Sequence, residues 1–368
     1  MDTGNRSMIK NNRKPKLKAV ILVGGLGTRL RPLTDNMPKP MVPVLNRPAM
    51  EHNIVYLKQY GIEDIILAMN YLPDAIKGYF GDGSRCGVRL TYCLEKEPMG
   101  TAGAVKNVAD HLDSTFFVVN VDDFTNANLA DMFVFHRENK AKATVLLTKV
   151  EDPSAFGVVE TDKNNKVKRF IEKPPRAEAT TNLINAGYYI LEPEVLKYIP
   201  SNTHYMFERG LFPGLLEAGE PVYGYPYHGF WLDMGTPGKY FSLNMDILMS
   251  RVKSPLVTPF TLDKEGVRRG ADVIVHPAAV ISPPVLIDSG CRVGKGVRVT
   301  GPAVIGRGCR LDEGAVVENS ILWDNVTVGI NARLSGSIAG TGAVIGANQS
   351  LADCIVTAAK TAPLSRLI

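Results

Sequence analysis

From position 275 the sequence keeps time in sixes. Val275, Ile281, Ile287, Val293, Val299, Ile305, Leu311 and Val317 fall on one six-residue beat. Four residues after most of them comes a smaller side chain: Ala279, Val285, Cys291, Val297, Ala303, Cys309 and Ala315. An amphipathic helix would repeat at three and four residues, and a lone strand is far shorter than this run. A fixed period held over so many repeats marks a solenoid, in which each repeat buries its apolar face only by stacking on its neighbours. The reading is a hexapeptide-repeat parallel β-helix over 271–360, with Leu322, Val328 and Leu334 resuming the period after a local slip.

Repeats of this kind resemble left-handed β-helices, whose three short sides make one coil from three hexads. That register stacks Cys291 on Cys309 inside the prism, as packing residues rather than a redox pair. Many hexapeptide proteins are acyltransferases that use a catalytic histidine. Only His276, on the first coil, is available here. The resemblance therefore implies a structural role, with a homo-oligomer formed through the β-helix.

The residues before the repeat read differently. Apolar runs at 19–23, 64–69, 88–94, 115–121 and 143–150 suit strands buried on both faces. Helical patterns at 48–60, 76–80, 101–112 and 129–139 alternate with them. Alternation predicts an α/β fold, a Rossmann-like doubly wound mixed sheet, with ligands beyond the carboxyl ends of its strands. Further strands are expected at 157–161, 166–172, 184–191, 223–227 and 229–232, with helices at 207–217 and 236–251. The expected division is a basic tail at 1–17, a catalytic domain at 18–252, a linker at 253–270, the β-helix at 271–360 and a short tail at 361–368.

The first strand runs into Gly24-Gly25-Leu26-Gly27, where backbone N–H groups become approachable by phosphate oxygens. Arg29, Arg31 and Lys39 add three cations, and four prolines stiffen the loop. Glycines after a strand are weak evidence alone. No Gly-Lys-Ser/Thr follows, and the third glycine of the dinucleotide fingerprint is absent. The whole string G-G-L-G-T-R-L-R-P-L-T followed by P-K-P is more specific. It resembles the signature of sugar-1-phosphate nucleotidyltransferases, and the resemblance covers nearly all of residues 18–360. It implies nucleotide binding by Leu22, Gly24, Gly25, Gly27 and Thr28, with Arg29 and Lys39 on phosphates at the reacting centre.

Other motifs follow in the family's order. E-P-M-G-T-A-G-A is similar to a base- and ribose-binding segment of mannose-1-phosphate guanylyltransferases, which implies that role for Glu97, Gly100 and Thr101. F-F-V-V-N-V-D-D carries a strand into two carboxylates, and a hard cation such as Mg²⁺ takes oxygen ligands of this kind. By resemblance Asp122 is a metal ligand, although Val121 stands where the family has Ser or Gly. G-F-W-L-D-M-G-T-P supplies its partner, Asp233. F-I-E-K-P and N-A-G resemble the sugar-phosphate site, implying Gly157, Glu172, Lys173, Asn185 and Gly187, with Lys173 also acting in catalysis.

Charge narrows the partners. The formal net charge is +5, and Arg6, Lys10, Arg13, Lys14, Lys16 and Lys18 against Asp2 account for all of it. No basic surface of the nucleic-acid-binding kind remains. The N-terminal stretch has no apolar core for a secretory signal, and no apolar run spans a bilayer. Five cysteines without a C-x-x-C pattern fit reduced thiols and a cytoplasmic location. The expectation is a Mg²⁺-dependent transfer of a nucleotidyl group from a nucleoside triphosphate to a sugar 1-phosphate. GTP and mannose 1-phosphate lead. Glucose-1-phosphate uridylyl or thymidylyl transfer and a non-catalytic nucleotide-sugar-binding subunit are the alternatives.

Overall fold

The computed structural model describes residues 17–70, 72–252, 260 and 262–364. Residues 1–16 of the expected tail, 253–259 and 261 of the expected linker, and 365–368 lie outside the described residues.

In chain order the first part contains β1 (Lys18–Val23), β2 (Pro43–Val44), β3 (Arg47–Pro48), α1 (Ala49–Gln59), β4 (Asp64–Met69), α2 (Pro73–Phe80), β5 (Arg89–Leu94) and α3 (Gly100–Asn107). Then come β6 (Phe116–Asn120), β7 (Asp123–Thr125), α4 (Leu129–Glu138), β8 (Ala143–Lys149), β9 (Gly157–Thr161), β10 (Val167–Glu172) and β11 (Leu183–Leu191). The part ends with α5 (Phe212–Glu217), β12 (Val222–Pro226), β13 (Trp231–Asp233) and α6 (Pro237–Leu248). The main sheet runs β10-β9-β11-β6-β1-β4-β5, with β8 on β11 and β12 on β8. Strands β6, β1, β4 and β5 are mutually parallel, whereas β11 meets β6 antiparallel. The sheet is mixed: strand–helix alternation gives the parallel strands, and β11 adds the antiparallel pairing.

Strand β1 sits at the centre because both its faces are apolar. Ala19, Ile21 and Val23 pack with Met50, Ile54 and Met132 on one side. Val20 and Leu22 pack with Ala102, Val105 and Phe212 on the other. Helices on both faces follow from this two-sided burial.

Several elements differ from the sequence reading. The helix expected over 101–112 ends at Asn107 and continues as a 3₁₀ turn, Ala109–His111. The helix expected over 207–217 opens as a π-helical turn, Phe207–Leu211, before α5. Pro213, in the first turn of α5, has no N–H to extend an α ladder backward, which suits a change of pitch there. The second aspartate after β6 starts a strand that the sequence reading did not contain. It begins β7, which pairs antiparallel with β13 so that Asp123 faces Asp233.

The remaining chain is a three-sided prism of parallel strands, with sheets of seven, five and five strands. Its interior holds the periodic residues, among them Ile287, Val293, Val299, Ile305, Leu311 and Val317. Val285, Ala303 and Ile287, Ile305 pair across one coil at the full three-hexad spacing. Beyond Glu318 the coils lose one residue: Val316 pairs with Arg333, and Arg333 with Ser350. This is the slip in the beat. The shortened corner holds Ser320 and Ser337, whose hydroxyls donate to the carbonyls of Glu318 and Ser335 and accept the N–H groups of Ser337 and Cys354. Side-chain oxygens thus satisfy a tight buried corner that backbone pairing leaves open. Cys291 and Cys309 are buried, unoxidised and stacked in the prism, each thiol facing a carbonyl, of Gly306 and Trp323 respectively, at 3.0 Å.

The prism begins and ends outside the expected bounds. Val267–Arg269 already pairs with Val285–Ile287, and Thr361–Pro363 folds back antiparallel on Cys354–Val356. Its seven-stranded side is apolar outward as well as inward. Leu286, Val304, Ile321, Trp323, Ile338 and Ile355 are buried against Tyr240, Phe241, Leu243 and Ile247 of α6. The solenoid and the α/β part therefore share a hydrophobic core.

Candidate active site

The carboxyl ends of β1, β4, β5 and β6 open on a cavity of about 550 Å³. Of the residues singled out in the sequence, Leu22, Gly24, Gly25, Gly100, Thr101 and Asp122 line it. The loop after β1 turns through Gly25 (φ 98°) and Gly27 (φ 61°), then through a 3₁₀ turn, Thr28–Leu30. Leu30 is fully buried and anchors the turn, while Thr34 donates its hydroxyl to the carbonyl of Gly27 at 2.7 Å. A side chain at Gly27 would stand 3.2 Å from Lys39 Cβ, so the glycine lets the Lys39 segment close on the loop.

Lys39 is buried and forms an ion pair with Asp122 Oδ2. Asp122 follows β6, and its carbonyl accepts the N–H of Met234 at 2.9 Å, which draws the Asp233 strand alongside. Asp233 is buried. Its Oδ2 lies 4.0 Å from Arg29 Nη2 and 3.9 Å from Lys239 Nζ, while its Oδ1 has no hydrogen-bond partner among the described residues. Asp123 is buried beside them and accepts from Asn120 Nδ2 at 3.0 Å.

Three carboxylates so close perturb one another. Burial pushes the Asp122 carboxyl up, and the Lys39 ammonium outweighs it, leaving Asp122 below its ordinary value. Burial and the Asp122 charge raise Asp233. Burial, then Asp122 and Asp233, raise Asp123 well above the carboxylate range. Among the described residues no group of three or more His, Cys, Asp or Glu side chains forms a metal cage. Mg²⁺ needs no such cage when substrate phosphates complete its shell. The hard oxygen donors of Asp122 and Asp233, with one buried oxygen lacking any partner, fit that ion. Val121 does not crowd them. Its side chain belongs to the core on the α1 side, and its carbonyl is held by Asn53 Nδ2 at 2.9 Å.

The residues read as a sugar-phosphate site form a second group. Gly157 is paired with Glu172 across β9 and β10, and a Cβ there would stand 3.1 Å from Glu172 Oε2 and 3.7 Å from Asn185 Cβ. Lys173 is exposed, in left-handed backbone (φ 52°), with its ammonium 3.5 Å from Glu172 Oε1. Asn185 donates to Tyr189 Oη at 2.8 Å and to Glu208 Oε1 at 3.2 Å. Gly187 (φ 74°) joins this group to the aspartates, for a Cβ on it would overlap Asp123 Oδ2.

Thr101 is the second residue of α3, whose N-cap is Met99. It lies inside the helix, and its hydroxyl accepts the N–H of Phe207 at 2.9 Å. Glu97 is exposed and does not line the cavity, whereas Glu95 is buried and does. Sequence reasoning passed over Glu95 and Lys239, and it put Asp123 at the catalytic edge without giving it a role. Their signal was adjacency to quoted motifs, but only burial and strand direction distinguish them from neighbouring charges.

Residues 18–250 match the family model described as nucleotidyl transferase, and residues 264–362 match the EIF2B subunit epsilon LbH domain, a left-handed β-helix. The chain is 39% identical over 315 residues to a mannose-1-phosphate guanylyltransferase of Mycobacterium tuberculosis, covering 85% of this chain and 81% of that one. It is 35% identical over 368 residues to a UTP–glucose-1-phosphate uridylyltransferase of Synechocystis, covering 94% and 95%. Among solved structures, HddC of Yersinia pseudotuberculosis, complexed with GMP-PN, is 26% identical with a TM-score of 0.55, covering 63% of this chain and 99% of that one. A family model spanning the whole α/β part, with relatives matched across both parts of the chain, makes this protein an enzyme of the nucleotidyl transferase family.

Proposed function

We propose that the protein transfers a guanylyl group from GTP to mannose 1-phosphate, releasing pyrophosphate and forming GDP-mannose. The observation that carries this reading is a cavity lined by the glycine loop and Asp122, with Lys39 paired to Asp122, Asp233 next to them, and Gly187 leading to the Glu172–Asn185 group. A sugar phosphate is already an anionic nucleophile, so no strong general base is required. One of its oxygens bonds to the α-phosphorus as the bond to the bridging oxygen of the departing pyrophosphate breaks in line. Repulsion between anions is the main obstacle. In this reading Arg29 and Lys39 offset it on the triphosphate side, and exposed Lys173 exchanges its contact with Glu172 for the incoming sugar phosphate. Asp122 and Asp233 would hold Mg²⁺, which supplies charge neutralisation on the phosphates when bound.

The uridylyltransferase relative, matched over 94% of this chain, favours UTP and glucose 1-phosphate as the second reading. Among the described residues no helix is long and apolar enough to cross a membrane. We place the enzyme in the cytoplasm, as a homo-oligomer through the two prism sides that α6 leaves uncovered. The test is pyrophosphate release across a grid of GTP, UTP, dTTP, ATP and CTP against mannose, glucose, galactose and N-acetylglucosamine 1-phosphates. A dominant GTP–mannose signal supports the proposal, a dominant UTP–glucose signal selects the second reading, and silence throughout refutes both.

A further inference from the structure

Asp122 and Asp233 face different cavities. Asp122 lines the one beside the glycine loop. Asp233 lines a second, of about 750 Å³, shared with Lys239 of α6 and with Phe156 and Trp231. Lys239 is the third residue of α6, and Thr236 Oγ1 accepts its N–H at 3.4 Å, which fixes its place in the first turn. Its side chain is 21% exposed, with the ammonium 3.9 Å from Asp233 Oδ2 and 5.0 Å above the ring centre of Phe156. Neither contact is a hydrogen bond, so all three donors of the ammonium stay open among the described residues. The other charges of this cavity are paired or exposed. Asp152 lies 3.3 Å from Arg176 and Asp246 lies 3.5 Å from Arg251, while Lys149 and Glu151 are exposed. The aromatic wall leads toward the Glu172–Asn185 group. Phe156 precedes Gly157, and its ring meets Trp231 edge to face at 5.5 Å. Trp231 Nε1 donates to the carbonyl of Ala186, between Asn185 and Gly187, at 2.9 Å.

We infer that Lys239 binds the phosphate of the incoming sugar 1-phosphate, its ammonium leaving Asp233 to do so. This rests on reading the protein as a sugar-1-phosphate nucleotidyltransferase. In-line attack puts the incoming phosphate and the departing pyrophosphate on opposite sides of the α-phosphorus, so each needs cations of its own. Arg29 and Lys239 approach the same oxygen, Asp233 Oδ2, from the glycine loop and from α6. The glycine loop serves the triphosphate, whereas α6 serves the side that Phe156 and Trp231 join to Gly157 and Asn185. Lys173 pairs with Glu172, while Lys239 stands against the aspartate itself, where the phosphate must arrive to react. A lysine suits the task, as a compact charge on a flexible stem with three rotatable donors. A phosphate monoester carries nearly two negative charges at neutral pH, so it outbids a single carboxylate at a distance too long for a hydrogen bond.

The experiment titrates mannose 1-phosphate and glucose 1-phosphate into the full chain by calorimetry, with Mg²⁺ and the non-cleavable α,β-methylene analogue of GTP or of UTP already bound. It compares the wild type with Lys239→Met, which keeps an unbranched stem over Phe156, and with Lys239→Arg, which keeps the charge. Lys239→Met should weaken sugar 1-phosphate binding about 10-fold or more and Lys239→Arg about 3-fold or less. Both variants should bind the nucleotide analogue within about 2-fold of the wild type, since the lost contact is not made to it. Wild-type affinity for the sugar phosphate in Lys239→Met overturns the inference. So does a loss shared equally by the sugar phosphate and the analogue, the result of a role confined to holding Asp233. An arginine variant as weak as the methionine one assigns the loss to packing and overturns it too, as does a wild type that binds neither sugar phosphate. Binding of a sugar 1-phosphate without pyrophosphate release from GTP or UTP would remove the transferase reading, and the affinity ratios would still decide Lys239.

Discussion

Gly187 is the point at which the two halves of the active site touch, and replacing it with alanine tests that geometry. Two separable costs arise. Its φ of 74° is left-handed, a conformation that costs an L-residue roughly 1 kcal/mol. The added Cβ would also overlap Asp123 Oδ2 and stand 2.5 Å from Asn120 Nδ2. Relief requires the carboxylate to turn away and give up its 3.0 Å bond from Asn120, leaving a buried acceptor and a buried donor short of partners. A lost buried hydrogen bond costs about 1–3 kcal/mol, so Gly187→Ala should cost about 2–4 kcal/mol in total. Gly219 provides the control. It has the same φ of 74° and nothing within 4 Å of a built Cβ, so Gly219→Ala should cost only the roughly 1 kcal/mol of backbone strain. Urea unfolding of both variants separates the terms. In an Asp123→Ala background the Gly187→Ala loss should shrink toward the Gly219 value, since the overlapping oxygen is gone and Asn120, no longer held by it, can turn away. If Gly187→Ala and Gly219→Ala prove equal within about 0.5 kcal/mol, the packing of Gly187 on Asp123 is wrong.

Three further outcomes are expected. Asp233→Asn should lower turnover about 100-fold or more while leaving the melting temperature unchanged or raised, because it relieves a buried carboxylate crowded by Asp122; near-normal turnover with Mg²⁺ would remove Asp233 from the site. His52 is buried with its Nε2–H donating to Val44 O at 2.8 Å, and burial lowers its pKa to about 4. The unfolded chain binds that proton first, so stability should fall by about 2 kcal/mol between pH 7 and pH 5, and His52→Gln should flatten that part of the profile. An unchanged slope in the variant would refute this. Finally, Trp323 Nε1 donates to Tyr240 Oη at 2.8 Å, and that hydroxyl donates to Pro43 O at 2.7 Å, linking prism, α6 and the segment after Lys39. Tyr240→Phe and Trp323→Phe remove one shared bond, so the double variant should lose about 1 kcal/mol less than the sum of the singles; strict additivity in urea unfolding would show that the bond does not form.

The solenoid was legible because its information is local. Each hexad turns one corner, and a periodic apolar residue must point inward whatever the rest of the chain does. The order of strands and helices was legible for the same reason, since burial on two faces leaves continuous apolar runs such as that of β1. The glycine loop, Lys39 and the two aspartates were marked by motifs that resemble a known family.

The structure decided what depends on contacts between residues distant in sequence. A six-residue beat cannot reveal that one outer side of the prism is apolar because α6 covers it, nor that a serine ladder absorbs the missing residue at the corner. Two glutamates in E-K-E-P look alike on paper, yet the end of β5 buries Glu95 and leaves Glu97 in solvent. Asp123 reads only as the second of two carboxylates at a strand end, until β13 pairs with it and sets it against Gly187 and Asp233. Local sequence dictates which backbone each segment prefers. Which carboxylate is buried, paired or left with a free oxygen is settled only when separate strands come together, because desolvation and charge act through space rather than along the chain.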